Sequence, residues 1–132
     1  MIFVDASAIV AIIADEPEAD DLRQRLDIAR ERTTSAIAVY EATLALARIG
    51  SVPTSRAKQF VTRFLTEAKI EHVQIGEREA ILALEAFDRF GKGRHPARLN
   101  MGDCFAYACV RAHGATLLFK GSDFSQTDIE AA

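Results

Sequence analysis

Cysteine is scarce in this chain. Cys104 and Cys109 are the only two among 132 residues. They lie five positions apart in what reads as one helix, so they point to different faces and cannot pair there. No second cluster of cysteine and histidine exists to build a zinc site. The two therefore read as buried thiols of a protein in a reducing cytoplasm. Long apolar runs are also missing: none approaches the roughly 20 residues needed to cross a bilayer. No basic region precedes the first apolar stretch, which itself carries Asp5, so no signal peptide is expected. Internal repeats, low-complexity tracts and linkers are absent. A large excess of one charge is lacking as well, since 16 Lys+Arg stand against 19 Asp+Glu for a net charge of -3. That balance argues against coating nucleic acid by bulk charge but leaves room for a local basic groove.

What is present suits one domain spanning residues 1–132. Hydrophobic residues make up 49% and charged residues 27%, which excludes disorder. A chain near this length buries ~70% of its unfolded surface. Met1–Val4 reads as a buried strand and Ala6–Ala14 as a helix. Asp15 or Glu16 is expected to cap the next helix, with Pro17 in its first turn; Ala19, Leu22, Leu26 and Ala29 give it an apolar seam. Thr33–Ser35 reads as a very short strand or a cap. Ala36–Ile49 is a helix ended by Gly50, and Thr54 caps another reaching about Lys69. Ile70–Ile75 alternates as a strand does. Glu77–Phe90 is a helix ended by Gly91, Lys92–Leu99 a basic loop, Asn100–Ala112 a helix and Ala115–Phe119 a strand. A last strand is expected near Thr127–Ile129. Strands separated by helices imply right-handed crossovers. The expected fold is a three-layer α/β/α domain around a mainly parallel sheet of four to five short strands. Ligands of such sheets sit beyond the carboxyl ends of the strands.

Three acids stand alone in apolar runs. Asp5 is the only charge in Met1–Ala14, Glu41 the only one in Ala36–Ala47, and Asp103 the only one in Met101–Val110. A buried ionised carboxylate costs several kcal/mol unless it is paired or coordinated. Asp5 falls at the carboxyl end of the first strand, and Asp103 in the first turn of its helix. Glu41 lies about two turns into its helix, with its side chain leaning back toward the N-terminus. Asp123 follows a strand end. Strand C-termini and helix N-termini share one edge of a parallel sheet, so the four fit a single cleft. Each carboxylate there raises its neighbours' pKa, and a divalent cation removes that penalty. Oxygen-only ligands favour Mg2+ or Mn2+, and such an ion stabilises charge on a phosphodiester in flight.

Each acid also has an ordinary explanation. Asp5 can cap the following helix, Asp103 can be a first-turn acid with Asn100 as the cap, and Asp123 can be a turn residue. A buried pair with an arginine is the main alternative for Glu41. One shared metal accounts for all four together. A phosphatase of the haloacid dehalogenase type also places a nucleophilic Asp after its first strand, but it needs a second Asp two residues on, where this chain has Ser7. A basic group, comprising Arg89, Lys92, Arg94, His95 and Arg98, leads into the helix that carries Asp103. It is expected to hold phosphates near the metal, with Lys120 adding one more contact. His95 reads as a phosphate or surface contact rather than a general base.

The segments Ile2-Phe3-Val4-Asp5-Ala6-Ser7-Ala8, Val39-Tyr40-Glu41-Ala42, Asn100-Met101-Gly102-Asp103-Cys104-Phe105-Ala106-Tyr107-Ala108 and Leu117–Ile129, in this order over nearly the whole chain, resemble a PIN domain. More narrowly they resemble the VapC-type toxins of bacterial type II toxin–antitoxin systems. The resemblance implies a Mg2+- or Mn2+-dependent endoribonuclease, a VapB-like antitoxin that blocks its site, and a homodimer. Asp5, Glu41 and Asp103 fall on the family's three firmest acidic positions, and Asp123 in the region of the fourth. Many relatives carry a second acid just before that Asp, where this chain has Ser122, which leaves open whether Asp123 meets the metal directly or through water. Asp128 is a weaker candidate. Ser7 matches a small hydroxyl residue that the resemblance implies orients the metal's ligands. The opposing expectation is a PIN-like module that grips RNA or a protein without cutting. Antitoxin contacts are expected on Ala19–Ala29 and Ala36–Ile49.

Overall fold

The computed structural model describes all 132 residues. Its four strands are β1 (Ile2–Val4), β2 (Arg32–Ser35), β3 (Glu71–Val73) and β4 (Thr116–Leu118), and its helices are α1 (Ala6–Ile13), α2 (Ala19–Ile28), α3 (Ala36–Gly50), α4 (Thr54–Glu67), α5 (Glu77–Phe90) and α6 (Met101–His113). All strand pairs are parallel, in the order β3-β2-β1-β4. The chain winds outward from β1 to β3, then crosses back through α5 and α6 to set β4 on the other side of β1. The order therefore reverses at β1, and a crevice opens there beyond the carboxyl ends of β1 and β4.

Strand periodicity divides the core between two faces. Ile2 and Val4 of β1 pack with α1–α4 residues such as Ile9, Ile12, Ala42 and Val61. Phe3 points the other way, among Ala86, Phe90, Tyr107 and Val110 of α5 and α6. Leu117 and Leu118 of β4 split in the same fashion. The layers are thus the expected α/β/α.

Several local expectations change. Asp15 does not cap α2. It adopts a left-handed backbone (φ 52°), and its carboxylate goes to Arg23 at 3.2 Å, so α2 begins only at Ala19. Pro53, not Thr54, occupies the cap position of α4. Gly50 remains helical, and Ser51 takes the left-handed turn (φ 50°) after α3. The expected strand at Thr127–Ile129 does not form. The tail makes one bridge, Leu117 to Ala131.

Candidate active site

Asp5 leaves β1 with its backbone N–H donating to Leu118 O of β4 at 3.0 Å, which fixes it at the point of strand reversal. It then caps α1: the Ser7 N–H and Oγ–H both donate to Asp5 Oδ2, at 3.0 and 2.5 Å. Ser7 Oγ in turn accepts the Lys120 backbone N–H at 3.0 Å. One hydroxyl thus ties the acid after β1 to the chain leaving β4. Asn100 and Asp103 form a reciprocal capping box at the start of α6: Asp103 N–H donates to Asn100 Oδ1 at 2.9 Å, and Asn100 N–H donates to Asp103 Oδ2 at 3.1 Å. The ordinary roles expected of Asp5 and Asp103 are therefore real. Each uses Oδ2 for its cap, so the cap holds the carboxylate in place.

Glu41 reaches these residues from α3. Its carboxyl lies directly over Gly102, where an added Cβ would sit 2.0 Å from Oε1. Only glycine permits that approach. Gly102 belongs to the quoted Asn100–Ala108 stretch, yet nothing in its spacing marked it as part of a site. The arginine partner considered for Glu41 does not exist: none of Asp5, Glu41, Asp103 or Asp123 forms an ion pair with lysine or arginine.

The consequence is electrostatic. Asp5 is only 5% exposed; burial pushes its carboxyl up against the pull of the Ser7 hydrogen bonds, and the Asp123 charge adds to the rise. Glu41 is pushed up to about 7, first by burial and then by the charges of Asp5 and Asp103. Asp103 is pushed up to about 6 by burial, with Asp5 and Asp123 adding to it and the Asn100 N–H opposing it. The four acids feel one another, so they share one neighbourhood. The donor set fits a hard divalent ion, being all oxygen, anionic and short of any protein cation. As the side chains lie, no three His, Cys, Asp or Glu form a group that could hold a metal ion. An ion that keeps several waters and takes few carboxylates is met by fewer of them at once.

Two clefts border this cluster, with Asn100 lining both. One, of about 580 Å³, runs past Ser7, Glu41, Leu44, Arg48 and Lys120. The other, of about 370 Å³, runs past Lys92, Arg98, Ser122 and Asp123. The basic group is not uniformly available to it. Lys92 and Arg98 line the second cleft. Arg94 sits over the Phe87 ring at 5.1 Å, with Asp88 at 3.9 Å. His95 accepts the Ala97 N–H on Nδ1 at 3.0 Å and meets Phe90 edge-on, which makes it a brace of the loop. Arg89 is diverted to Asp128 and Tyr107, both at 3.2 Å. The Lys120 ammonium is held by Glu16 and Glu18. Asp128 is not with the other acids at all, being bound by Tyr107, Arg89 and Arg111. Burial pushes the Cys104 and Cys109 thiols up to about 11 and about 12, and they take no part. No helix is long and apolar enough to cross a membrane.

Comparison with known proteins gives the chain a family. A family model for the PIN domain matches residues 2–130. A VapC ribonuclease of Rhizobium meliloti (strain 1021) is 40% identical, over 98% of this chain and 99% of its own. Ribonuclease VapC30 of Mycobacterium tuberculosis is 38% identical, over 96% of this chain and 94% of its own. The crystal structure of Mycobacterium tuberculosis VapC20, a sarcin-ricin loop cleaving toxin, superposes with a TM-score of 0.76 at 20% identity, covering 100% of this chain and 98% of that one; at that identity the likeness speaks to the fold. With a PIN-family match over almost its full length and curated VapC ribonucleases near 40% identity, the chain belongs to the PIN-domain family, among its VapC-type ribonucleases.

Proposed function

We propose that this chain, acting as a single domain over residues 1–132, is a divalent-metal-dependent endoribonuclease and the toxin of a toxin–antitoxin pair. What supports the reading most is the convergence of four unpaired carboxylates at the crevice beyond β1 and β4: Asp5, Glu41 and Asp103 are raised by burial and by neighbouring acids, and the Asp123 charge adds to the rise of Asp5 and Asp103. Asp5, Glu41 and Asp103 would hold Mg2+ or Mn2+, and Asp123 would complete the set directly or through water. When bound, the ion supplies Lewis acidity and neutralises charge developing on the phosphodiester oxygens. The chain's own residues do the rest. Ser7 locks the Asp5 carboxylate and the start of the Asp123 segment in one hydrogen-bonded unit. Asn100 fixes the Asp103 rotamer, and Gly102 lets Glu41 close over α6. Lys92 and Arg98 line the path that delivers a phosphate to the cluster, with Arg94 beside them. His95 braces the loop that carries them, while Arg89 and Lys120 are committed to Asp128 and to Glu16 and Glu18. The proposed setting is the cytoplasm, as a homodimer silenced by a VapB-like antitoxin that covers the acidic crevice.

The test is incubation of RNA with the purified chain and Mg2+ or Mn2+, with and without chelator, beside Asp103→Asn. Cutting that vanishes with either change supports the reading. Cutting that survives both overturns it. Tight metal-free binding of RNA without any cutting replaces it with the non-catalytic module.

A further inference from the structure

Asp123 lies in a stretch with little regular structure. Between the end of β4 at Leu118 and the bridge at Ala131 the chain runs through turns alone. Its internal hydrogen bonds are short-range: Ser125 Oγ donates to Ser122 O at 2.6 Å, and Thr127 Oγ1 donates to Phe124 O at 2.7 Å. Such a stretch does not hold a metal ligand still by itself, because fixing each residue costs roughly 1–2 kcal/mol of backbone entropy. Beyond the backbone bonds that tie Glu130 and Ala132 to Leu117 of β4, at 2.9 and 2.8 Å, side-chain attachments to the body of the protein do that work. At the near end, Ser7 Oγ accepts the Lys120 N–H. In the middle, Phe124 is buried in the core cluster formed with α5 and α6, and its ring meets Phe119 of the same segment with centroids 5.2 Å apart. At the far end, Asp128 draws donors from two helices. Tyr107 Oη–H donates to Oδ1 at 2.8 Å, while Arg89 of α5 and Arg111 of α6 each donate to Oδ2 at 3.2 Å.

We propose that Asp128 is a positioning residue, whose clamp by Tyr107, Arg89 and Arg111 sets the far end of the 119–127 segment and so places the Asp123 carboxylate at the metal site. Single exposed ion pairs contribute little. Here the hydroxyl donor belongs to Tyr107, only 3% exposed. The two guanidiniums rest on aromatic rings, Arg89 over Phe90 at 4.6 Å and Arg111 over Tyr107 at 5.7 Å, which fixes their direction. The clamp also accounts for Arg89, whose place at the head of the basic loop suggests a phosphate contact but whose guanidinium faces away to Asp128. The inference rests on the metal-site reading of Asp123 and goes beyond it, because Asp128 touches neither metal nor RNA.

The experiment titrates the full metal-free chain with Mn2+ alone, following the free-ion paramagnetic signal, beside RNA cutting and melting temperature. Asp128→Ala should weaken Mn2+ binding about tenfold, the effect typical of residues that hold metal ligands in place, and cutting should return at high Mn2+. Asp128→Asn, whose amide oxygen still accepts from Tyr107, should recover most of that affinity. Tyr107→Phe should lose a part of it, and these two variants carry the test if Asp128→Ala does not fold. A lower melting temperature with Mn2+ affinity unchanged in all three overturns the proposal. Cutting that stays low at saturating Mn2+ overturns it too. A wild-type chain that binds no Mn2+ instead overturns the metal-site reading itself, and the positioning role with it.

Discussion

Asp103 and Asp128 are the same residue in opposite circumstances. Asp103 stands with three other carboxylates and no cation, and its carboxyl is pushed up to about 6. Asp128 has two arginines and a tyrosine hydroxyl, and against the cost of its burial these hold its carboxyl below the ordinary value. A protein gains from the second arrangement as it stands. The first is a liability for the metal-free fold, since removing cations from a group of buried acids leaves repulsion and desolvation uncompensated. On the proposed function, the contrast separates an acid kept for chemistry from one kept for architecture, and mutation should expose it directly. Asp103→Asn, Asp5→Asn and Glu41→Gln should each reduce RNA cutting by on the order of 10³-fold, with melting temperatures of the metal-free chain unchanged or raised. Asp128→Ala should lower the melting temperature. Loss of melting temperature in all four variants would erase the distinction.

Acidity gives the comparison a sign. Glu41 and Asp103 titrate at about 7 and about 6 when folded, against ordinary values of 4.5 and 3.8. Over that window the folded metal-free chain binds more protons than the unfolded one. Their contribution to stability is therefore fully present below the ordinary values and is lost as pH rises through 6 to 7. Asp128 is depressed, so its contribution is present above its ordinary value and is lost as pH falls. Melting curves of the metal-free chain between about pH 4 and pH 8 should give Glu41→Gln a gain over wild type that grows with pH. Asp128→Asn should show a deficit that grows with pH from the acid end. Saturating Mg2+ should cancel the first trend, because the ion takes deprotonated ligands and binds more tightly as pH rises. A Glu41→Gln gain that shrinks with pH would remove the electrostatic account of the cluster.

The acids were legible in the sequence for the reason that makes them unstable. A lone charge in an apolar run is conspicuous, and Asp5, Glu41 and Asp103 stood out without any structure. The α/β/α layering was equally plain, because β1, α5 and α6 carry clear periods. β2 was legible only as a very short strand or a cap: Arg32-Thr33-Thr34-Ser35 reads as polar, yet it is an interior strand whose last residue also caps α3. Thr33 Oγ1 donates to Ile2 O at 3.0 Å and Thr34 Oγ1 to Val4 O at 2.8 Å, so the hydroxyls are satisfied by the neighbouring strand's carbonyls. Partners distant in sequence leave no pattern in either segment. The ion pairs of Arg89 and Lys120 were hidden for that reason, since Asp128 and Glu16 are far away in the chain and only the fold joins them. Gly102 was hidden because its role is the absence of a side chain. Gly102→Ala should sharpen the point: the new methyl meets the end of a flexible Glu41, which can swing away, so cutting should fall ten- to a hundred-fold, roughly the loss seen when metal ligands lose their orientation, with little change in melting temperature. An unaltered cutting rate would mean that Glu41 works from some other position.

The smallest expected effect concerns the cations, which divide as the acids do. Lys92 lines the cleft that contains Asp123 and has no ion pair, whereas Arg89 is committed to Asp128. RNA binding by an uncut complex, such as Asp103→Asn with RNA, should follow the salt concentration with a slope set by the number of phosphates met. Lys92→Ala should reduce that slope by about 0.7, the share of one contact to a single strand, and weaken binding several-fold at low salt. Arg94→Ala should do the same to a lesser degree, because its guanidinium already rests on Phe87. Arg89→Ala should leave the slope alone and lower the melting temperature instead, since its charge is spent inside the protein. If Arg89→Ala flattened the salt dependence as much as Lys92→Ala, its bond to Asp128 would have to open whenever RNA binds, and the clamp would be part of the RNA surface rather than a fixed anchor.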